Sequence, residues 1–376
     1  MRTRCVRCWP TAARSRKAWR KGDLKVTTVH INTSHPYDIL IGSGLLDQAG
    51  ERMAQVISPC KILLVSDSNV APLYADRAEA SLKKAGYAVS RFVFPAGEAS
   101  KTIDTYIQLL EACACAELSR SDALVALGGG VTGDMTGFAA ATYLRGIRFV
   151  QIPTSFLAAI DSSVGGKTAV DLKAKKNHVG AFWQPSLVLC DPDVFQTLSD
   201  AIFADGVAEA VKYSMIADAD LLTLLEQHRI EEDIEQVVTR CVEIKRDVVT
   251  EDEFETGGRR ILNFGHTLGH AVESYSDFSL THGQAVAIGM MMIIRASEKR
   301  GLCGSEILPR MEAVLTSYGL PTVCPYPPKE LYKIATGDKK RRGGRIGVVF
   351  PRQVGVCEII DRPVEDLLAL IEEGIG

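Results

Sequence analysis

Hydrophobic and polar positions follow two different patterns along the chain. From Lys25 to Thr197, short apolar runs alternate with amphipathic stretches, which predicts strands alternating with helices. Helices are predicted to end near Lys84 and Ala114. The predicted strands are Val26–Ile31, Tyr37–Ile41, Lys61–Val65, Ala88–Phe94, Ala123–Leu127 and Arg148–Ile152. This alternation is typical of a parallel α/β sheet, whose ligands bind at the carboxyl ends of the strands.

After Thr197 the alternation stops and the pattern becomes mainly helical. The predicted long helices are Val207–Arg229, Glu232–Val249, Asn263–Tyr275 and Thr281–Arg300. A strand pair near Arg345–Phe350 and Val354–Ile360 comes next, followed by a last helix at Val364–Glu373, with Pro363 suited to its first turn. The change of pattern predicts two domains, an α/β domain at residues 24–197 and a mainly helical one at 198–376.

Composition narrows the class of protein. A chain of 376 residues is long enough for two domains, and its net charge of −3 gives no basic excess for binding nucleic acid or an anionic membrane. No apolar run reaches the ~18 residues that a membrane-spanning helix needs. The 10 cysteines are scattered, which indicates reduced thiols in a cytosolic protein. Cys5 and Cys8 form a single C-x-x-C, more often incidental than half of a zinc site.

The first 23 residues differ from the rest. They carry eight arginine or lysine side chains, a single acid at Asp23, and no periodic apolar face. Transit peptides can have this bias, but a disordered tail or translation from an upstream start codon explains it equally well. We expect residues 1–23 to lie outside the fold.

A glycine-rich turn follows the strand predicted at Ala123–Leu127. Gly128, Gly130 and Gly133 satisfy G-x-G-x-x-G, and a helix is predicted to begin near Val131. Glycine permits positive φ and close approach of a phosphate, and the N–H groups of the helix N-terminus attract a pyrophosphate. The motif lies far along the chain and lacks an acid about twenty residues later, unlike the usual dinucleotide site. A tight turn without a ligand is the alternative.

A second polar stretch runs from Asp161 to Thr168 and is followed by Lys175 and Lys176. Gly-Gly-Lys-Thr at its end resembles a phosphate loop, but Asp161 stands where the first glycine of that motif would be, so a P-loop is excluded. A glycine turn with three lysines and one acid remains. A solvated basic loop is the alternative.

Three histidines close in sequence suggest a metal site. His266 and His270 are spaced to share one helix face, and His282 follows. Glu209 could be the third ligand, leaving a zinc ion one open position as in catalytic sites. The residues alone do not decide which two histidines bind metal, and helix packing is the alternative. The charged run from Asp338 to Arg345 is a solvated face or a lid over an anionic substrate.

Five motifs in this order carry a resemblance that extends from about residue 25 to the end. They are Gly128–Asp134, Asp161–Thr168, Gly206–Tyr213, Leu262–His270 and His282–Met290. Together they resemble the 3-dehydroquinate synthases of the sugar phosphate cyclase superfamily. The resemblance implies a Rossmann-like N-terminal domain, a mainly α-helical C-terminal domain, NAD, Zn²⁺ or Co²⁺, and a cytoplasmic homodimer without nucleic-acid or membrane partners.

The resemblance also implies roles for individual residues. The metal ligands are Glu209, His266 and His282, which assigns His270 to the substrate. The NAD-binding residues are Asp67, Asn69, Glu98, Lys101, Gly129, Gly130, Val131, Thr132, Gly133, Asp134, Thr154, Ser155, Lys167, Lys176 and Thr197. The substrate-binding and catalytic residues are Asp161, Lys167, Asn177, Lys212, Lys245, Arg259, Asn263, His270 and Lys339 or Lys340. Arg145 is expected to reach the phosphate in the partner subunit's site.

The implied reaction converts 3-deoxy-D-arabino-heptulosonate 7-phosphate into 3-dehydroquinate and phosphate. NAD takes a hydride from the C5 carbinol, phosphate is eliminated, the hydride returns, and an intramolecular aldol reaction closes the carbocycle.

Three rival interpretations remain. One is another sugar phosphate cyclase such as 2-deoxy-scyllo-inosose synthase. The others are a metal-dependent polyol dehydrogenase and an impaired homologue.

Several positions depart from the family pattern. Lys175 stands where glycine is usual, which costs on the order of 1 kcal/mol if that position needs positive φ. His178 replaces an apolar residue, and Ser214 replaces a common glycine. Gln284 replaces a common glutamate, which would remove an acid near the metal. Ser199, Ala201 and Ile202 stand where the family has Pro, Arg and Glu.

Overall fold

The computed structural model describes residues 26–173, 175–227, 230–277, 279–337 and 344–375. The N-terminal half is built on a seven-stranded sheet with the spatial order β1-β2-β9-β6-β5-β3-β4. β1 pairs antiparallel with β2, and every other pair in this sheet is parallel. Its strands are β1 Thr27–Ile31, β2 Tyr37–Ile41, β3 Lys61–Asp67, β4 Ala88–Phe94, β5 Ala123–Gly128, β6 Arg148–Pro153 and β9 Leu187–Cys190.

Both faces of this sheet are covered, which explains the continuous apolar strands. In β3, Ile62 and Leu64 point into one hydrophobic cluster, while Leu63 and Val65 point into another on the opposite face. Four helices belong to this half: α1 Ala49–Ala54, α2 Asp76–Lys84, α3 Ile103–Cys115 and α4 Gly130–Thr142. The α/β organisation predicted for this half is therefore confirmed.

The order of the strands creates a crevice at one point of the sheet. From β3 the chain moves to β4 on one side and then returns to β5 on the other. The helices that follow these strands therefore diverge, and a crevice opens at the carboxyl ends of β3 and β5. Asp67 ends β3 and Gly128 ends β5, so two predicted nucleotide-binding segments meet there.

The second half is mainly helical, as the sequence predicts. Its helices are α5 Asp200–Ala217, α6 Ala219–Gln227, α7 Ile234–Glu251, α8 His266–Tyr275, α9 His282–Lys299, α10 Ile307–Ser317, α11 Pro328–Thr336 and α12 Asp366–Ile375. A hairpin of β10 Arg345–Gln353 and β11 Val356–Pro363 precedes the last helix. No helix in the described ranges is long and apolar enough to cross a membrane.

Helices α8 and α9 approach each other to backbone contact. A Cβ atom on Gly289 would lie 2.1 Å from the carbonyl oxygen of Gly265, and one on Gly269 would lie 3.0 Å from that of Ala285. Because these glycines lack side chains, the two helices can cross unusually closely. His266 and His282, the first residues of the two helices, are thereby brought together.

Several elements differ from the sequence predictions. The sequence does not predict the hairpin of β7 Lys167–Leu172 and β8 Lys175–Phe182, the strand β9, or the helices α1, α10 and α11. The pattern over Val207–Arg229 forms two helices because Asp218 leaves helical geometry and caps α6 by accepting from Leu221 N. Short apolar runs are ambiguous between strand and helix, which accounts for the missed strands.

Three predicted helix starts are also wrong. Helix α5 begins at Asp200, seven residues before the predicted Val207, with Ser199 as its N-cap. Gly265 adopts a left-handed φ of 77°, so α8 begins at His266 and not at Asn263. Pro363 ends strand β11 instead of opening the last helix, which begins at Asp366.

Asp191, just after β9, ties two parallel neighbours together. Its buried carboxylate accepts from the backbone N–H groups of Gly44, Leu46 and Asp193 at 3.1, 2.9 and 3.1 Å. Gly44 and Leu46 follow β2, so this single carboxylate fixes the loop that leaves the neighbouring strand. Buried backbone donors without an acceptor are costly.

We expect Asp191→Ala to lower the free energy of unfolding by about 3 kcal/mol, because three buried N–H groups lose their acceptor. Urea denaturation monitored by circular dichroism would measure the loss. The matched control is Asp193→Ala, whose longer side-chain contacts predict a loss below about 1 kcal/mol. Equal losses in the two variants would contradict this role.

Candidate active site

A cleft of about 600 Å³ lies between the sheet and the helical half. It collects residues from β7, β8, α5, α7 and the turn before α8. Seven residues that the resemblance assigns to the substrate line it: Asp161, Lys167, Asn177, Lys212, Lys245, Arg259 and Asn263. Since these residues are up to about one hundred positions apart in the chain, only the fold brings them together.

Glu209, His266 and His282 converge at one end of this cleft. The Nε2 atoms of His266 and His282 lie 3.4 and 3.3 Å from the Oε1 atom of Glu209. The ligand atoms of the three residues all lie within 4.8 Å of one another. One carboxylate and two imidazoles are a donor set that zinc and similar divalent ions bind.

The outer nitrogens of both imidazoles already have partners. The Nδ1 atom of His266 is 3.1 Å from the backbone oxygen of Phe264, and Nδ1 of His282 faces the carboxylate of Glu273 at 3.9 Å. An acceptor at Nδ1 favours the tautomer in which Nε2 carries the free lone pair. These residues therefore suit a divalent metal ion bound through the two Nε2 atoms and Glu209.

The charges around His282 also favour a bound metal cation. Burial lowers its pKa, but hydrogen bonds and charges from Glu209 and Glu273 outweigh this and raise the pKa to about 10. An environment that stabilises a proton here also favours a metal cation. Metal binding would then displace that proton, because the ligand must be neutral imidazole.

Glu209 is fully buried and paired with Lys212 from the next turn of α5, at 2.5 Å. Burial opposes ionisation of Glu209, but Lys212 and His266 hold its pKa well below the ordinary value. Lys212 also lies 3.8 Å from Asp161, so it joins the metal end of the cleft to the substrate end.

Asp161 is the centre of a second buried network. The Nζ atom of Lys245 donates to the backbone oxygen and Oδ1 of Asp161 at 2.6 and 2.8 Å, and the hydroxyl of Tyr213 donates to Oδ1 at 2.6 Å. Burial raises the pKa of Asp161, but Lys245 and Lys212 outweigh it and keep the pKa below the ordinary value. Tyr213 was not singled out in the sequence, where it follows Lys212 without any distinguishing pattern.

Arg259 is almost fully buried in the cleft wall. Its guanidinium donates to the backbone oxygens of Glu253 and Gly165 at 2.5 and 3.1 Å. The preceding loop is held by Asp252, whose carboxylate accepts from the backbone N–H groups of Thr256, Gly257 and Arg259. This loop also presents Glu255.

Glu255 is an acid that the sequence analysis missed. It lines the cleft with a left-handed φ of 58° and pairs with Lys167 at 2.7 Å. A non-glycine residue in this conformation is a common mark of a functional site. The only sequence indication was its place among several acids before Arg259.

The glycine turn has the strand–turn–helix form that the motif predicts, but its glycines serve another purpose. Gly128, Gly130 and Gly133 are not among the residues with positive φ. A Cβ atom on Gly128 would lie 2.3 Å from Thr132 Oγ1, and one on Gly133 would lie 2.6 Å from Gln151 Oε1. Close packing of α4 on the sheet, and not positive φ, therefore requires these two glycines.

The start of α4 faces the crevice between β3 and β5. Gly129 precedes the helix, and a Cβ atom there would meet only Ser155 Oγ, at 3.5 Å. The first N–H groups of α4 are therefore approachable by an anion such as a pyrophosphate. Asp67 lies opposite, 3.5 Å from Thr132 Oγ1, with its other oxygen accepting from the backbone of Asn69.

Of the other residues assigned to the nucleotide, Lys101 and Thr154 contact this turn or its helix, and Lys176 and Thr197 contact other segments. Lys101 is buried and contacts Asp134 and Asn177 at 2.5 and 2.6 Å. Lys176 lies between Glu98 and Glu273, 3.6 and 3.1 Å away. Thr154 donates to Gly128 O from the end of β6. Thr197 is hydrogen-bonded to Tyr74 at 2.7 Å.

Some predicted site residues lie away from the cleft. The side chain of His270 is 61% exposed and faces Glu273 at 3.6 Å. Arg145 is exposed in a turn where Leu144, Arg145 and Gly146 all have positive φ, and it does not line the cleft in the described part. Lys339 and Lys340, like Cys5, Cys8 and the extension at residues 1–23, lie outside the described residues.

The structure bears on four departures from the family pattern. Positive φ occurs at Asn177 and not at Lys175, so Lys175 carries no such strain. Gln284 forms a capping box with Thr281, a role that glutamine and glutamate share. Glu273 and Asp205 supply acids near His282, so its surroundings remain acidic. Ser214 is buried and donates to Val211 O, and His178 is an exposed residue of the cleft.

Comparisons with known proteins place the chain in a family. Residues 91–205 match the family described as 3-dehydroquinate synthase N-terminal, and residues 206–341 match 3-dehydroquinate synthase C-terminal. A 3-dehydroquinate synthase of Streptococcus suis is 44% identical over 356 residues, covering 93% of this chain and 100% of the relative. The chain belongs to the 3-dehydroquinate synthase family. The predicted resemblance is thereby confirmed.

Solved structures of related cyclases share the fold. A 2-deoxy-scyllo-inosose synthase complexed with carbaglucose-6-phosphate, NAD⁺ and Co²⁺ is 26% identical, with a TM-score of 0.82 over 93% of this chain and all of that one. The 2-epi-5-epi-valiolone synthase of Streptomyces hygroscopicus, with NAD⁺ and Zn²⁺ bound, is 29% identical, with a TM-score of 0.82 over 94% and 98% of the two chains. The predicted two-part fold is confirmed.

The buried ammonium of Lys245 leads to a pH prediction. Burial lowers its pKa to about 8 against the opposing charge of Asp161, so Lys245 loses its positive charge above that pH. We expect kcat/KM for an anionic substrate to fall about tenfold per pH unit on the alkaline side. In Lys245→Arg the guanidinium stays charged, and this decline should disappear at a lower overall rate. If kcat/KM fell equally with rising pH in the wild type and in Lys245→Arg, the decline would not come from Lys245.

Proposed function

We propose that the chain is a 3-dehydroquinate synthase of aromatic amino-acid biosynthesis, converting 3-deoxy-D-arabino-heptulosonate 7-phosphate to 3-dehydroquinate and phosphate. One observation carries the proposal. A metal-ligand set and a group of buried cations line one cleft, beside the crevice where a nucleotide would bind. A reaction that couples a transient oxidation to loss of phosphate needs all three in contact.

The two cofactors supply the chemistry that side chains cannot. When bound, NAD accepts and returns a hydride, and the divalent ion polarises the substrate hydroxyl and carbonyl. Glu209, His266 and His282 would hold the ion. The amides at the start of α4, with Asp67, Asn69, Lys101, Asp134 and Lys176 around them, would hold the nucleotide.

The charge of the cleft suits a substrate with both a phosphate and a carboxylate. Lys212, Lys245 and Arg259 are buried there, and Lys167 joins them at the rim. The acids Asp134, Asp161 and Glu255 also line the cleft and Glu209 lies at its end, so the charges balance before any metal binds. A bound divalent ion would make the cleft net positive. Such a cleft attracts a polyanion and fixes its orientation.

Individual residues then take the following roles. Lys167, on the rim of the cleft, exchanges Glu255 for an anionic group of the substrate. Arg259 and Asn263 bind the carboxylate, and Lys212 and Lys245 hold the substrate oxygens near the metal. Asp161 keeps both ammonium groups in place. His270 contacts the substrate from outside the cleft, and the family resemblance adds Lys339 or Lys340 as a further substrate contact.

Three rival interpretations are less well supported. Another sugar phosphate cyclase would share the metal ligands, but the solved 2-deoxy-scyllo-inosose synthase is only 26% identical, against 44% for the curated 3-dehydroquinate synthase. A polyol dehydrogenase would not need several buried lysines. An impaired homologue is disfavoured because Lys175 is unstrained and Gln284 keeps its cap.

We also propose a homodimer in the cytoplasm, with the division between domains near residues 197 and 198. A second subunit would give the exposed Arg145 a site to act on. The free cysteines of the described part suit a reducing compartment. Helix α5 begins at Asp200, just after the sheet domain ends.

The first test is phosphate release from 3-deoxy-D-arabino-heptulosonate 7-phosphate by purified protein with Zn²⁺ and substoichiometric NAD. We expect many phosphates per NAD without accumulation of NADH at 340 nm, since the hydride is returned in each cycle. His266→Ala should lose at least about 100-fold in rate, because a metal ligand is removed. Stoichiometric NADH formation would instead indicate a dehydrogenase. No phosphate release from folded, zinc-loaded protein would reject the proposed substrate.

A subunit-mixing experiment tests the role of Arg145. Arg145→Ala and Lys167→Ala homodimers should each be nearly inactive, the first lacking the residue donated to its partner and the second lacking a contact in its own site. Random heterodimers restore one complete site in each mixed dimer, so the mixture should recover about a quarter of wild-type activity. No recovery in mixtures that mass spectrometry shows to be heterodimeric would place Arg145 in its own subunit's site.

A further inference from the structure

Glu273 is a buried acid for which the predicted site has no role. It lies on α8, seven residues after His266 and three after His270, so all three share one face of the helix. Its exposed fraction is 8%. A carboxylate this buried needs partners that stabilise its charge.

Its partners are groups that the proposed function uses. The Oε1 atom lies 3.1 Å from Nζ of Lys176, and Oε2 lies 3.6 Å from Nδ1 of His270 and 3.9 Å from Nδ1 of His282. Glu273 thus stands behind the metal-ligand set. It faces the nitrogen of His282 that points away from Glu209.

The geometry distinguishes the two nitrogens of His282. Nε2 lies 3.3 Å from Oε1 of Glu209, on the side where Nε2 of His266 also points. If the proton moved from Nδ1 to Nε2, the free lone pair of His282 would face Glu273. His282 could then no longer bind the metal beside Glu209 and His266. The negative charge of Glu273, 3.9 Å from Nδ1, opposes this proton transfer because it stabilises the proton there.

We propose that Glu273 is a positioning residue that keeps His282 protonated at Nδ1 and presents Nε2 to the metal beside Glu209 and His266. This inference rests on the metal site of the proposed function. His266 needs no such side chain, because its Nδ1 atom faces the backbone oxygen of Phe264. Of the two groups that face the Nδ1 atoms, only Glu273 is a side chain and can be changed by mutation.

A second candidate metal set shares His282 with the first. His270, Glu273 and His282 also have ligand atoms within 4.8 Å of one another. That group would use Nδ1 of His282, whose Nε2 belongs to the first set. Neutral imidazole has one lone pair, so the two sets compete for His282 unless the ring loses its remaining N–H proton. The first set has the buried Glu209 as its carboxylate, and with an ion there Glu273 faces the protonated Nδ1.

The competing explanation is that Glu273 only neutralises Lys176. The two ideas differ in what a substitution disturbs. If Glu273 only neutralises Lys176, its loss should change NAD affinity and leave zinc affinity unchanged. If Glu273 positions His282, its loss should lower zinc affinity and change the coordination of the metal. Measurements of the two affinities therefore separate them.

The experiment compares wild type, Glu273→Gln and Glu273→Ala in the full-length protein. Zinc affinity is measured by competition with a chromophoric chelator, and NAD affinity by quenching of protein fluorescence. We expect zinc binding to weaken about tenfold in Glu273→Gln, whose amide oxygen still accepts, and up to about 100-fold in Glu273→Ala. NAD affinity should change less than about threefold. The visible spectrum of Co²⁺-loaded Glu273→Ala should differ from wild type.

The matched control is Asp122→Asn. Asp122 is equally buried, accepts from Lys61 N and Ser119 N, and precedes β5 at the opposite end of the sheet from the site. Its substitution should lower the melting temperature without changing zinc affinity or the Co²⁺ spectrum. This control separates a general loss of stability from an effect on the metal.

Wild-type zinc affinity in both Glu273 variants, with or without a change in NAD binding, would overturn the inference. Equal weakening in Asp122→Asn would overturn it too, since the effect would then be general destabilisation. A wild-type protein that binds no zinc would instead refute the metal site of the proposed function itself. Zinc binding that weakens only in the Glu273 variants supports the inference even if the substrate proves to be a different sugar phosphate.

Discussion

The carboxylate of Glu209 is enclosed by protein, and an ionised group persists there only if neighbouring charges and hydrogen bonds offset its lost hydration. Lys212 supplies one such charge from the next turn of the same helix. His266 and His282 bring their Nε2 atoms to 3.4 and 3.3 Å from its Oε1 atom at the starts of α8 and α9, where a shared divalent ion would add its charge. Three helices must therefore meet at one point, and much of the helical half is arranged so that they do.

Glycine contacts between α8 and α9 make that meeting possible. Gly289 packs against Gly265, and Gly283 packs against Asp205 of α5, where a side chain would collide with backbone atoms. Small residues at a helix crossing let the backbones approach and fix the distance between their first residues. The spacing of the two histidines is thus a property of the helix interface. The same interface places Glu273 behind His282.

The chain also connects the metal end of the cleft to the rest of the site through ion pairs, buried around Lys212 and more exposed around Lys176. Lys212 joins Glu209 to Asp161, and Lys245 and Tyr213 complete the surroundings of Asp161. On the other side, Lys176 joins Glu273 to Glu98 at the edge of the nucleotide crevice. Removing one member of such a network leaves another charge buried without compensation, so these residues act as a group.

Sequence alone determined the α/β and helical halves, most strands of the main sheet, the glycine turn and the family, because periodicity and ordered motifs are local properties of the chain. Residue spacing left open which two of the three histidines share a carboxylate, since His266 and His270 are equally spaced for one helix face, and the family resemblance implied His266 and His282. The tertiary structure supplies the physical reason, because the crossing of α8 and α9 brings Nε2 of His266 and Nε2 of His282 to Glu209. It also revealed Glu273, Glu255 and Tyr213, whose importance lies in contacts between distant segments that no local pattern records.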